Sequence, residues 1–492
     1  MKPDLIISKK NEVYFSIDTS ESIAYSLRDR FTFMVPNAHF MPAVKNKIWD
    51  GKIRLFNLRD NSIYSGLQNE IEKFCEEREL HYTYDFEDIK HEYADDEIKK
   101  FFEEINTGKE LREHQVKGVR VGLSEKKCLL LSPTSSGKSL IMYMIARKLE
   151  ETHNKMLIVV PTIQLVEQLY KDFESYSQLN GWNTEENVHR IYEGRPKNTD
   201  KFITISTWQS IFKQSPGWFE QFDVLMGDEV HGFKAKSLEY IAASCINADY
   251  RIGLTGTLDD ALTHKMCLEG LFGPVHVIET MSNLMKKNYV SNLKIQVLML
   301  KHPESVRKLA RKWKYNDEVD YIASNNARNK FIRNLALSLD GNVLILFHRI
   351  EKHGKLIYKL IEATLPKDKQ LHFIYGGTAV EQRERIRDIV AKSRNNIVLA
   401  SFGTTSTGVN IPDLHYEIFA SSYKAKIKNL QSIGRVIRIG TDGSNQVTLF
   451  DIADDLQYGA KENYSLKHLR VRLMLYAAEK FHYKINKIDL KE

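Results

Sequence analysis

The sequence predicts an α/β protein: two parallel-sheet lobes preceded by a small α+β N-terminal domain. Three observations predict it. From residue 109, short and almost wholly apolar runs alternate with amphipathic helical stretches. The runs are "CLLLS" (128–132), "MLIVV" (156–160), "FITIS" (202–206), "FDVLMGDE" (222–229) and "RIGLTG" (251–256). Strands apolar on both faces and separated by helices belong to parallel sheets covered on both sides. The same grammar returns after residue 340, in "NVLILF", "LHFIY", "NIVLA", "YEIFAS" and "VTLFDI". Before residue 85 it is absent. There, short β-like runs ("EVYFSI", "KIRLFN") mix with one amphipathic stretch near 65–79.

A chain of 492 residues exceeds one ordinary core, so several domains are expected. Residues 1–84 form the small α+β module, which we expect to bind nucleic acid. Residues 85–108 form an acidic connector; its stretch 85–104 carries nine acidic residues against three lysines. The first lobe spans 109–275 and the second 336–460. Between them, 276–335 reads as a helical, polar and basic connector. Residues 461–492 read as a C-terminal helix packed on the second lobe, from "SLKHLRVRLMLYAAEKF". No repeat with a period of 20–50 residues is visible.

Composition excludes several classes. Hydrophobic content of 42% with 27% charged residues excludes extended disorder. The net charge of +7 permits an anionic partner. The four cysteines form no C-x-x-C pair, which argues against a zinc site or disulfide framework and fits a reducing compartment. No apolar run approaches 18 residues and the N-terminus has no signal-peptide pattern, so a cytoplasmic location without membrane is expected.

The chemistry starts at "LLLSPTSSGKSLIMYMIA" (129–146). An apolar strand, a Ser/Gly loop and a helix follow one another, as a phosphate-binding loop requires. Gly137 permits close backbone approach at the helix N-terminus, where N–H groups and the helix dipole favour phosphate oxygens. Ser135 and Ser136 belong to this cradle. Lys138 reaches toward the β- and γ-phosphates, and Ser139 offers a hydroxyl to Mg²⁺. Ser132 stands where the usual pattern has its first Gly.

A second element completes the nucleotide chemistry. "FDVLMGDEVH" ends an apolar strand with Asp228 and Glu229. Asp228 is placed to hold Mg²⁺, and Glu229 to orient or deprotonate the attacking water. His231 sits two residues on, ready to sense the γ-phosphate or pair with the next motif.

With these residues in order, the chain resembles superfamily 2 helicases and translocases of the DExH class over about residues 109–455. "LREHQ" is similar to the adenine-side motif, with Arg112 and Gln115 as base contacts. "VVPTIQLVEQ" and "ISTWQS" resemble motifs Ia and Ib. "GLTGTL" takes the place of motif III, with Thr255 and Thr257 as coupling residues. "VLILFHRIEKHGKLI", "VLASFGTTSTGVNIP" and "QSIGRVIRIG" resemble motifs IV, V and VI. The resemblance implies RecA-like lobes, ATP and Mg²⁺ as cofactors, and hydrolysis. It implies that Arg435 and Arg438 act as arginine fingers, that Gln431 positions nucleotide or water, and that Gly408 and Asn410 approach the nucleotide. Arg suits this task because its planar fork keeps its charge and matches phosphate oxygens. Asn410 stands where the family commonly has Asp, so a contact through its charge is lost.

The strand-facing residues implied by the motifs are Thr162, Gln164, Thr207, Gln209, His348, Arg349, Thr404 and Thr405. In the N-terminal module, "KNKIWDGKIRLFNLR" interleaves Lys45, Lys47, Lys52 and Arg54 with Trp49. Basic residues among aromatics can grip phosphates and stack on bases, the favoured reading here; the alternative is a hairpin with Trp49 in a small core and a solvated basic face.

The connector "MSNLMKKNYVSNLKI" and the stretch "SNNARNKFIRNL" are similar to the repair and recombination branch of the superfamily. That resemblance implies an ATP-dependent motor acting on branched, single-stranded or duplex DNA, such as forks, junctions and R-loops. Recombination or single-strand-binding proteins would be its partners. An RNA helicase, or an ATP-gated clamp or annealing factor without processive unwinding, stays open at this point.

Overall fold

The computed structural model describes residues 3–87, 91–233, 236–258, 261–406, 413–421 and 446–491. The chain divides into two compact units, Met1–Glu279 and Thr280–Glu492.

The first unit is built on a seven-stranded sheet. Its order is Val188–Ile191, Ile203–Thr207, Met156–Val160, Val224–Asp228, Tyr250–Thr255, Lys127–Leu131, Val275–Val277, and every pairing is parallel. Met156–Val160 and Tyr250–Thr255 are buried at every position. Successive side chains point to opposite faces, so such strands need cover on both sides. One face packs on helices Glu113–Glu125, Lys138–Leu149 and Ile163–Ser177, through Ile141, Tyr143, Ile158 and Ile252. Leu157, Leu129, Ile241 and Phe272 belong to the core of the other face, with helices Lys236–Ser244 and Leu262–Phe272.

The N-terminal module adds a five-stranded sheet in the order Phe56–Asn57, Ser62–Tyr64, Tyr14–Thr19, Leu5–Lys9, Tyr82–Tyr84. Here burial alternates along Leu5–Lys9 and Tyr14–Thr19, because only one face is covered. Helices Glu21–Arg30 and Gln68–Glu77 contribute Leu27, Ile71 and Phe74 to that core. The same cluster runs on into Phe233, Leu268 and Phe272, so module and lobe share one continuous apolar interior. The acidic stretch holds a helix, Asp95–Glu104, whose Ile98 and Phe101 are buried while its carboxylates stay outside.

The second unit has its own seven-stranded parallel sheet: Gln370–Ile374, Asn396–Ser401, Val343–Phe347, Tyr416–Phe419, Gln446–Asp455, Asn292–Lys301, His482–Asp489. Two boundary expectations are corrected here. Residues 276–335 are not wholly a helical connector, since Asn292–Lys301 is a ten-residue strand inside this sheet. Residues 461–492 are not only a helix: Tyr464–Ala478 is followed by the edge strand His482–Asp489. Both strands interleave charged or polar residues with apolar ones near the sheet edge, so neither shows the solid apolar run that marks a central strand.

Candidate nucleotide site and nucleic-acid interface

Three neighbouring strand ends carry the nucleotide-site residues. The loop after Lys127–Leu131 leads into helix Lys138–Leu149, capped by Gly137 at φ +83°. A Cβ there would lie 2.2 Å from Gln115 Nε2, so only glycine fits. Ser132 is fully buried, and its hydroxyl donates to Ser136 Oγ at 2.7 Å. Its carbonyl accepts from Lys138 Nζ at 3.3 Å. The serine in place of glycine therefore adds a tie across the loop. Ser135 stands at φ +68°, a second left-handed residue in the turn.

The adenine-side segment clamps the same loop. Gln115 is buried; its Oε1 accepts from the Arg112 backbone at 3.0 Å and its Nε2 donates to the Ser136 carbonyl at 3.3 Å. Arg112 caps helix Glu113–Glu125. His114, which the motif reading passed over, donates from Nε2 to the same carbonyl at 2.8 Å. A carbonyl only accepts, so this nitrogen carries the proton.

Across the loop stand Asp228 and Glu229. Lys138 Nζ lies 4.0 Å from Glu229 Oε1. Glu229 adopts φ +50°, a conformation costly for a non-glycine residue and common at functional sites. Desolvation, reinforced by the neighbouring Glu229 charge, pushes Asp228 up to about 6. His231 and Thr255 connect two motifs. The Thr255 hydroxyl donates to the Thr257 carbonyl at 2.9 Å, so at 3.1 Å it accepts from His231 Nδ1. Glu229 Oε2 lies 3.3 Å from that nitrogen.

The residues present fit a nucleotide with Mg²⁺. Ser139 and Asp228 offer the oxygen ligands that Mg²⁺ prefers. Among the described residues no group of three or more His, Cys, Asp or Glu could hold a metal ion. Ser139 Oγ is 2.9 Å from the hydroxyl of Tyr176, a residue no sequence motif marked.

The strand-facing set is dispersed. Thr162 caps helix Ile163–Ser177, its hydroxyl accepting from Leu165 N at 3.3 Å, and Gln164 follows half-buried. Gln209 is exposed and donates to the Pro161 carbonyl at 3.5 Å, which joins motifs Ia and Ib. Thr207 is buried against Ser210. In the second unit His348 is exposed, whereas Arg349 is ion-paired with Asp320. Thr404 is buried, 2.6 Å from Ser401 Oγ. In the N-terminal module Lys45, Lys47, Lys52 and Arg54 are exposed, with Arg54 paired to Asp50. Trp49 is half-buried and donates to the Lys52 carbonyl at 3.0 Å. Gly408, Asn410, Gln431, Arg435, Arg438 and the Thr405 side chain lie outside the described residues.

A phosphate-binding loop, an acidic strand end and a threonine-coupled histidine on one parallel sheet define a superfamily 2 helicase lobe. Family models agree. Residues 4–85 match the N-terminal domain of the DNA helicase UvsW, 91–260 the res subunit of type III restriction enzymes, and 327–440 the conserved C-terminal helicase domain. The ATP-dependent DNA helicase uvsW of Enterobacteria phage T4 is 32% identical, across 96% of this chain and 97% of that one. The crystal structure of T4 UvsW covers 99% of this chain and 100% of its own at 29% identity, with a TM-score of 0.51. The DNA 3'-5' translocase XPB2 of Sulfurisphaera tokodaii is 25% identical over 67% of this chain and 79% of its own. The chain belongs to the UvsW family of superfamily 2 helicases.

Proposed function

We propose that this protein is an ATP-dependent DNA helicase and translocase that unwinds or branch-migrates forks, junctions and R-loops in recombination and repair. One observation carries it: Glu229 lies between Lys138 and His231, and His231 bonds to Thr255. The group assigned to water activation thus lies 4.0 Å from the phosphate-binding lysine and is linked to the next motif through His231. The UvsW-type N-terminal module favours DNA over the RNA-helicase and clamp readings.

In this reading the backbone N–H groups around Gly137 bind the phosphates, and Lys138 neutralises the terminal ones. Arg112 and Gln115 hold the base side of the nucleotide. Glu229 takes the proton of the attacking water. Ser139 and Asp228 would hold Mg²⁺, which supplies charge neutralisation on the phosphate oxygens. Arg435 and Arg438 are assigned by motif to the charge that develops in the transition state, with Gln431 beside them. Thr162, Gln164, Gln209 and His348 would contact sugar and phosphate, which position a strand without reading its sequence.

ATP hydrolysis measured with forked DNA, linear duplex, single-stranded DNA and RNA tests the proposal. Stimulation by forked DNA is expected. No stimulation by any polymer overturns the motor, and stimulation by RNA alone overturns the DNA assignment. Lys138→Ala is expected to abolish hydrolysis while leaving salt-sensitive DNA binding in place.

A further inference from the structure

We infer that Tyr176 is a positioning residue for the metal-ligating hydroxyl, and that through it the motif Ia helix is tied to the ATP site. The inference rests on the proposed role of Ser139. Tyr176 lies in the last turn of helix Ile163–Ser177, 37 residues from Ser139, and its hydroxyl is 2.9 Å from Ser139 Oγ.

The tyrosine is not free to swing away. Its ring packs at 5.5 Å from that of Tyr143, on the helix that begins at Lys138. Asn180 Nδ2 donates to the Tyr176 carbonyl and to the Tyr143 hydroxyl, each at 3.2 Å, and Arg147 donates to that hydroxyl at 2.9 Å. These bonds hold the Tyr176 backbone and the Tyr143 ring, and the Tyr176 ring packs on the latter, beside Ser139 in the first turn of the phosphate-binding helix.

The chemistry of a serine ligand gives the contact a purpose. A neutral hydroxyl binds a cation through an oxygen lone pair, so its proton must point elsewhere to an acceptor. The Tyr176 oxygen stands at hydrogen-bond distance for that proton. A ligand whose remaining polar atom is bonded keeps its orientation, and removing such a partner typically weakens metal binding 10- to 100-fold. Tyr176 shares a helix with its N-cap, Thr162, one of the residues assigned to the nucleic-acid strand. A shift of this helix along the strand would therefore reach the ligand directly.

Tyr176→Phe removes one oxygen and keeps the ring. The measurement is calorimetric binding of a non-hydrolysable ATP analogue to the full chain, in EDTA and across a Mg²⁺ titration. In EDTA the variant should bind as the parent does. The affinity gained on adding Mg²⁺ should fall by about 10-fold, and half-maximal hydrolysis should require correspondingly more Mg²⁺. Ser139→Ala should lose the same gain, and adding Tyr176→Phe to it should change nothing more. An undiminished Mg²⁺ gain in Tyr176→Phe, equal losses in EDTA and Mg²⁺, or additive losses in the double variant would each overturn the inference. If Ser139→Ala itself leaves the Mg²⁺ gain intact, the metal assignment fails before the role of Tyr176 is reached.

Discussion

Arg251 shows how a single residue fixes the frame around motif III. It is buried, yet no carboxylate pairs with it among the described residues. Its Nε donates to the Leu271 carbonyl at 2.7 Å, and its terminal nitrogens to those of Cys245 and Ala242 at 2.9 and 2.6 Å. Ala242 and Leu271 lie in the last turns of helices Lys236–Ser244 and Leu262–Phe272, where carbonyls lack intrahelical donors. The guanidinium satisfies them and anchors the strand that ends at Thr255. Arg251→Met should cost about 3 kcal/mol, seen as a lower Tm, because buried acceptors are left without donors. No loss of Tm would show that water replaces the guanidinium. In the sequence this residue is one letter of "RIGLTG"; its three carbonyls come from two helices and the residue just past one of them, which no local pattern places beside it. Ser132 was visible only as a departure from the loop pattern, and its bond to Ser136 explains the departure.

At the scale of the element, strand Tyr416–Phe419 carries a liability. Its sequence, "YEIFAS", is nearly all apolar, yet Glu417 is fully buried in it, between Leu344 and Leu449 on the flanking strands. Neither carboxyl oxygen has a hydrogen-bond partner among the described residues. The nearby Asp451 is bound by Arg472 at 2.8 Å and by the Tyr476 hydroxyl at 2.9 Å, both from helix Tyr464–Ala478. Burial, with Asp451 adding to it, pushes Glu417 up to about 8, against an ordinary value of 4.5. The folded state therefore keeps a proton that the unfolded chain has released. Its contribution is full below about pH 4.5 and is lost as pH rises to about 8, a change of a few kcal/mol. Glu417→Gln should flatten this slope. Urea unfolding at pH 6 and pH 9 should show the variant gaining on the parent at the higher pH; a constant difference would contradict the assignment.

At the scale of the whole molecule, the N-terminal module and the first lobe behave as one body. Gly66 lies against helix Leu262–Phe272 so closely that a Cβ would come 2.1 Å from the Glu269 carbonyl oxygen. Backbone cannot yield as a side chain does. Tyr64 donates to Glu239 at 2.9 Å, and Lys127, at the start of the strand leading to the phosphate loop, donates to the Glu12 carbonyl at 2.8 Å. Gly66→Val should loosen the module, at a cost above about 2 kcal/mol. Hydrogen exchange should then rise along Leu262–Phe272 and Ser62–Tyr64 together. Unchanged protection there would mean that the contact is dispensable.

The sequence by itself determined the two parallel sheets and the order of the nucleotide motifs. Solid apolar runs and short spacings such as "SSGKS" and "DEVH" are local, and local patterns survive without knowledge of the fold. Tertiary structure alone decided the rest. Strands Asn292–Lys301 and His482–Asp489 join the second sheet because their partners are distant in the chain. His114, Tyr176 and Arg251 acquire their roles from hydrogen-bond partners 22, 37 and up to 20 residues away. The physical reason is the same in each case: a hydrogen bond depends on separation in space, which a sequence pattern records only when both partners lie on one element.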